Sequence, residues 1–287
     1  MQLTHSTADA RKHRNALTGT VALVPTMGAL HAGHLKLIEH GRSLADHVLV
    51  SIFVNPTQFG PGEDFDRYPR TLEVDLERCQ AAGAAGVFAP SVDQMYPPAA
   101  PDVQVDVPEL TSDLEGAFRP SHFAGVCRVV MKFFNVIQPD IAVFGQKDYQ
   151  QLKVIQAMVA DLLMPVRVVG MPTMREDDGL AMSSRNRYLS ADDRRHAVGA
   201  YKALLQAKRM IEDDGETDPA AVERAMQQTL EAHHFDVDYA VLRHPQTLAR
   251  LDCVEPSLTH GVAALIAARL DEVRLIDNMI IGASATA

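Results

Sequence analysis

The sequence predicts an α/β chain: a Rossmann-like, doubly wound parallel sheet followed by a smaller C-terminal α+β domain. Three observations carry that expectation. Short apolar runs alternate with helix-like segments as far as residue 170; the runs are continuous in Val, Ile and Phe rather than alternating with polar residues; and the rhythm changes after Pro172. Continuous apolar strands belong to parallel sheets covered on both faces, because helical crossovers shield both sides. Right-handed crossovers then give the doubly wound arrangement.

In chain order, strands are expected at 20–24, 48–54, 87–89, 141–144 and 166–170, with helices at 34–46, 71–83, 122–138 and 148–163. In the last helix Leu152, Ile155, Val159, Leu162 and Leu163 recur close to helical spacing. Residues 55–69, N-P-T-Q-F-G-P-G-E-D-F-D-R-Y-P, make a long connection punctuated by Pro and Gly. Such a loop in a compact domain is a lid, a binding loop or a disordered segment. After Pro172 comes the polar, turn-like stretch T-M-R-E-D-D-G-L-A-M-S-S-R-N-R. Helices at 191–213 and 218–234 and strands at 237–243, 262–269 and 273–281 then suggest an antiparallel sheet. The domains are placed at 1–174 and 175–287.

Composition excludes several function classes. The net charge of -10 argues against a protein that holds nucleic acid through its phosphates. Cys79, Cys127 and Cys253 lie far apart with no C-x-x-C pair, which reads as reduced, cytoplasmic thiols. An apolar leader and a long apolar stretch are both lacking, so neither export nor a membrane span is expected. The histidines His5, His13, His233, His234 and His260 match no motif and are expected at the surface. The run Glu176-Asp177-Asp178 reads as a solvated turn, since three consecutive carboxylates do not converge on a metal.

The stretch P-T-M-G-A-L-H-A-G-H-L, residues 25–35, follows the run Val21-Ala22-Leu23-Val24. It has the glycine spacing of a P-loop, but His34-Leu35 stands where that motif needs Lys and Ser/Thr. It does not match G-x-G-x-x-G, and a zincin pair needs histidines four apart with an intervening Glu. What remains is a strand end, a glycine turn and a helix start bearing His31 and His34. Free amides of a first helical turn favour an anion, and the two histidines would act as donors to phosphate oxygens. Taken alone, the stretch fits equally well two ordinary turn and cap residues.

H-A-G-H resembles the HIGH element of the HIGH/KMSKS nucleotidyltransferase superfamily, and Met182-Ser183-Ser184-Arg185 stands where its KMSKS loop belongs. Ala181 replaces the first Lys of that motif and Arg185 the second; serine hydroxyls and Arg still supply donors for a triphosphate. P-T-M-G-A-L-H-A-G-H, S-I-F-V-N-P-T-Q-F-G, Y-P-R-T, R-P-S-H-F-A-G-V, F-G-Q-K-D-Y-Q-Q-L and D-G-L-A-M-S-S-R-N-R-Y-L together resemble the pantothenate synthetase family, in family order. The resemblance implies an ATP-dependent acid–amine ligase: pantoate and ATP give pantoyl adenylate, and the amine of β-alanine then displaces AMP. It implies Mg²⁺ bound through the ATP phosphates, with no protein metal ligand assigned, and a homodimer. V-L-V-S-I-F-V is then either near a symmetric contact or a plain core strand.

Carried over by position, the resemblance implies that Met27, Gly28, Ala29, Leu30, His31, Ala32, Gly33 and His34 line the ATP site. Gly145, Gln146, Lys147 and Asp148 form a second ATP segment, with Asp148 on the ribose; Met174, Met182, Ser183, Ser184 and Arg185 complete it. His34, His31, Lys147 and Arg185 are the implied catalytic residues. Gln58 and Gln151 would hold pantoate, Gln58 also lying near β-alanine. Asn55, Arg119 and His122 sit in family blocks. The family commonly has Glu at Gln146 and a smaller aliphatic residue at Met174. Segments 55–69 and 175–187 would close over the adenylate, residues 175–287 acting as a lid. Three rivals remain: a nucleotide adenylyltransferase of the same superfamily, a small aminoacyl-tRNA synthetase and a non-catalytic nucleotide sensor.

Overall fold

The computed structural model describes residues 1–255 and 261–282. The chain folds as two compact units. The first is Met1–Gln146 together with Gln151–Pro172, and the second is Lys147–Gln150 together with the residues from Thr173 onward.

The first unit is built on a six-stranded parallel sheet. Its strands are β1 (Gln2–Thr4), β2 (Val21–Thr26), β3 (His47–Ile52), β4 (Gly86–Phe88), β5 (Ile141–Gly145) and β6 (Arg167–Met171), in spatial order β1-β4-β3-β2-β5-β6. Helices α1 (Thr7–Ala16), α2 (Ala32–Leu44), α3 (Leu72–Ala81), α7 (His122–Ile137) and α8 (Tyr149–Asp161) alternate with them; the short α4 (Val92–Met95), α5 (Pro108–Thr111) and α6 (Glu115–Phe118) lie between β4 and α7. From β2 the chain moves outward through β3 to β4, then returns to β5 on the other side of β2. The carboxyl ends of β2 and β5 therefore mark the topological switch point, where open α/β sheets bind ligands.

The unbroken apolar run of β2 follows from this layering. Val21 and Leu23 join the cluster of Phe123, Val126 and Phe133 on one face; Ala22 and Val24 join Leu37, Ile38 and Cys79 on the other. Successive strand residues point to opposite faces, so both sides need apolar groups, each contributing about 1.5–3 kcal/mol for a Val- or Leu-sized side chain. Val48, Leu49, Val50 and Ser51 are at most 2% exposed, and β3 lies between β2 and β4, so the first four residues of V-L-V-S-I-F-V belong to a core strand. Besides the short α4, α5 and α6, two elements of the sheet layer were not expected, β1 and α1. Q-L-T is too short and polar to signal a strand, and α1 buries only Ala10.

The second unit packs α10 (Gly199–Glu212) and α11 (Pro219–Ala232) against an antiparallel sheet of β7 (Asp236–Arg243), β8 (Val262–Leu270) and β9 (Val273–Ile281), in order β7-β8-β9. Leu204, Met226, Leu230, Leu242 and Ile266 form its core. The helix expected at 191–213 is interrupted at Ala197–Val198 into α9 (Ala191–His196) and α10, where Gly199 approaches the His233 side chain too closely for a Cβ. The division differs from the expected break at 174 by giving Lys147–Gln150 to the second unit. Two bonds explain this: Asn278 Nδ2 donates to Lys147 O at 2.7 Å and Tyr149 OH to Pro245 O at 2.7 Å.

His13 is not the surface residue expected: it is half-buried, its Nε2 sealed near Gly86, and burial pushes its pKa down. His260 lies outside the described residues. Glu176 and Asp178 face Arg194, with Nη1 to Asp178 at 2.6 Å, so that acidic turn is an ion-pair cluster and not merely solvated.

Candidate active site

The turn after β2 is shaped by a carboxylate that the sequence motifs do not contain. Gly28 and Ala29 both adopt positive φ, +84° and +50°. Asp75, fully buried on α3, accepts from Ala29 N at 2.9 Å and Leu30 N at 2.8 Å, and from Thr71 Oγ1 at 3.1 Å. Gly28 N donates to Thr26 Oγ1 at 3.2 Å, and Arg78 Nη1 donates to Leu30 O. A left-handed alanine costs about 1 kcal/mol, offset here by those amide bonds. A Cβ at Gly28 would press on Asp75 and Ile52 at 3.1 Å.

His31 and His34 cap α2 reciprocally. His31 Nδ1 accepts from Gly33 N at 3.2 Å and His34 Nδ1 accepts from His31 N at 3.2 Å, with ring centroids 4.1 Å apart. A backbone amide can only donate, so each neutral ring must carry its proton on Nε2. The cap reading is met through Nδ1, and the tautomer it requires places a proton on Nε2 of each neutral ring. The expectation of free first-turn amides holds only in part: Ala32 N, at the first helical position, has no partner among the described residues, while the neighbouring amides are engaged. Ala29 N and Leu30 N go to Asp75, Gly33 N to His31, and His34 N to His31 O at 2.9 Å.

Gln58 ends a 3-10 turn, Pro56–Gln58, and is buried. Asn55, 1% exposed, donates through Nδ2 to Gln58 Oε1 at 3.0 Å and to Gly125 O at 3.1 Å, while Tyr96 OH donates to Asn55 Oδ1 at 2.8 Å. This fixes which end of the Gln58 amide is oxygen, and its Nε2 lies 3.1 Å from Met27 Sδ. Met27 and Gln58, 31 positions apart, are thus in contact. A Cβ on Gly125 would overlap the Thr57 carbonyl, so glycine there lets the turn seat on α7.

Arg119 forms a forked bond with Glu63, Nε to Oε1 at 2.7 Å and Nη2 to Oε2 at 2.8 Å, pinning the 55–69 connection. Burial would raise the Glu63 pKa, but the Arg119 hydrogen bonds and charge outweigh it and hold it below the usual range. His122 donates through Nδ1 to Gln58 O at 2.9 Å and meets Arg119 Nη1 through Nε2 at 3.2 Å. Burial first, then the Arg119 charge, drives its pKa down to about 4, so the ring is neutral. Asn55, Arg119 and His122 thus form the support of the Gln58 turn.

Gly145 ends β5 beside β2, with nothing within 4 Å of where a Cβ would stand, and Gln146 follows it. Gln151 is half-buried in the first turn of α8. Lys147, Asp148, Met174, Met182, Ser183, Ser184 and Arg185 belong to the second unit. Met182 N donates to Met174 O at 2.9 Å, closing a hairpin, and Ser183 caps the turn Ser184–Tyr188 by accepting from Arg185 N at 3.3 Å. Ser183 Oγ thereby keeps its own O–H as a donor. Cys79 and Cys127 are buried, which pushes both thiols up to about 12, so neither is a nucleophile. Asp75, Arg78 and Tyr96 escape sequence reasoning because each acts from a distant element, whereas Thr71 closes the Y-P-R-T block; only the polarity of Asp75 on the buried face of α3 hints at its role.

Residues 2–280 match the family model described as Pantoate-beta-alanine ligase. A pantothenate synthetase of Xanthomonas axonopodis pv. citri (strain 306) is 53% identical over 262 residues, covering 90% of this chain and 91% of the relative. Among solved structures, pantothenate synthetase from Thermus thermophilus superposes with a TM-score of 0.90 at 47% identity, covering 98% of this chain and 99% of that one. Pantoate-beta-alanine ligase from Francisella tularensis, complexed with beta-gamma ATP and beta-alanine, gives 0.79 at 30% identity, covering 98% and 97%.

Proposed function

This chain belongs to the pantoate-beta-alanine ligase family, and on that premise we propose how its residues carry out the reaction. It is an ATP-dependent ligase that joins pantoate to β-alanine. A carboxylate oxygen of (R)-pantoate attacks the α-phosphorus of ATP, the bond to the bridging oxygen breaks, and pyrophosphate leaves from pantoyl adenylate. The unprotonated amine of β-alanine then attacks the acyl carbon, and AMP departs with the electron pair of the C–O bond. A nucleotide adenylyltransferase would instead keep AMP in its product; the family match favours the ligase.

The barrier of the first step is anion meeting polyanion, so fixed positive charge and donors dominate. The observation that carries the assignment is the reciprocal histidine cap, which leaves an Nε2–H on His31 and His34 at the switch point of the sheet. His34 would bond the phosphate oxygens in the transition state, with His31 beside it. Lys147 and Arg185 would neutralise the triphosphate, with Ser183 and Ser184 as hydroxyl donors. Met27 to Gly33, Gly145, Gln146, Asp148, Met174 and Met182 would line the nucleotide pocket, Asp148 meeting the ribose. Gln58 and Gln151 would hold pantoate, and the Asn55 bond to Oε1 supports Gln58 presenting its Nε2 as donor. Segments 55–69 and 175–187 would exclude water, residues 175–287 serving as lid.

Mg²⁺ would travel on the ATP phosphates: the donors assigned here are ammonium, guanidinium, imidazole and hydroxyl groups, which suit phosphate oxygens rather than a cation. When bound, the ion would add charge neutralisation there. A homodimeric, cytoplasmic enzyme that binds no nucleic acid completes the proposal. No helix of the described residues is long and apolar enough to cross a membrane.

The test is His34→Asn. Asparagine can keep the cap through Oδ1 but lacks the Nε2 donor, so pyrophosphate release from ATP and pantoate should slow by at least about a hundredfold with the fold intact. Near-normal turnover would remove His34 from the mechanism.

A further inference from the structure

Two neighbouring residues outside every motif named so far, Asp277 and Asn278 on β9, are almost completely buried, at 4% and 6% exposed. The Asp277 carboxylate receives both arms of Arg175, Nη1 to Oδ2 at 2.7 Å and Nη2 to Oδ1 at 2.9 Å. Arg175 also donates to Asn278 O at 3.1 Å and Gly179 O at 3.0 Å, and its guanidinium lies 4.3 Å over the Tyr201 ring. That side chain is the anchor of a tight hairpin: Arg175 bridges to Ala181, Glu176 N donates to Leu180 O at 2.8 Å, and Met182 N to Met174 O at 2.9 Å. Gly179, at φ +94°, presses on Tyr201 where a Cβ would overlap the ring. The hairpin leads directly into Met182–Arg185.

One residue further, Asn278 Nδ2 donates to Lys147 O at 2.7 Å. Adjacent strand residues face opposite sides, so a single step of β9 grips two segments 28 or more residues apart in sequence. We infer that Asp277 and Asn278 form a positioning pair that holds the Lys147 segment and the Met182–Arg185 turn at fixed spacing for a polyphosphate. The geometry suits the task. A forked arginine–carboxylate bond fixes orientation as well as distance, and the backbone of a paired strand is a stiffer reference than either loop. Neutralising a triphosphate depends steeply on where each cation stands, so a small drift of either segment weakens nucleotide binding.

This rests on the reading of Lys147 and Met182–Arg185 as ATP-binding, and the experiment separates the two. Pantoate- and β-alanine-dependent AMP release by the native chain tests that reading alone. Asn278→Ala and Arg175→Lys test the pair: each should raise the KM for ATP, and the calorimetric Kd for ATP, about fivefold to tenfold. The KM for pantoate should stay within about twofold. A lowered melting temperature with both ATP constants unchanged means a merely structural role and overturns the inference. Should Asn278→Ala fail to fold, Arg175→Lys, which keeps the charge but loses the fork, decides by the same readout.

Discussion

His31 and His34 each do two things with one ring. Nδ1 finishes the amino end of α2, and that commitment dictates the tautomer that makes Nε2 a donor. Removing either ring should therefore cost both stability and rate, and His34→Asn separates the two, leaving most of the roughly 1 kcal/mol of capping in place. Asp75 is the complementary case, structural in contact but set behind the site. Truncating it leaves Ala29 N and Leu30 N unpaired and should cost about 3 kcal/mol, read as a melting temperature lower by roughly 10 °C. A retained melting temperature in Asp75→Ala would show that the turn holds itself. The histidines were singled out in the sequence because H-A-G-H stands among several family blocks; their types and spacing alone fit ordinary cap residues equally well. Asp75 was not, because it reaches the turn from 45 residues away and only the fold brings it there.

At the scale of elements, the Gln58 turn depends on what lies beneath it. Gly125 on α7 gives the turn its seat, so Gly125→Ala should push Pro56–Gln58 outward, destabilise by about 1–3 kcal/mol and raise the KM for pantoate more than that for ATP. Equal effects on both constants would place the turn outside pantoate binding. His122 ties the same turn to the pH scale. Its unfolded pKa is near 6.5 and its native value about 4, so between them the unfolded chain binds the extra proton. Stability should fall with falling pH across that window by up to about 1.4 kcal/mol per pH unit. Glu63, held low by Arg119, adds a further loss that begins as pH falls below the ordinary value of 4.5 and is complete once pH has passed its depressed native value. Melting curves should show a shallower slope between pH 6.5 and 4 in His122→Gln; an unchanged slope would assign it elsewhere, His13 being the next candidate. Long apolar elements such as β2, β3 and α7 were readable from period and composition. The polar strand β1, the exposed helix α1 and the transfer of Lys147–Gln150 to the second unit were not, since each is fixed by partners distant in sequence.

For the whole molecule, the sheet order locates the switch point, and the residue blocks supply the chemistry proposed to act there. Neither alone specifies the substrates; the family membership does. The most direct measurement is AMP formation from ATP with pantoate and β-alanine together, then with each omitted. AMP should appear in steady turnover only with both present, pyrophosphate release without β-alanine stopping near one equivalent of enzyme. AMP release that ignores pantoate, or a product that retains the adenylyl group, would contradict the account.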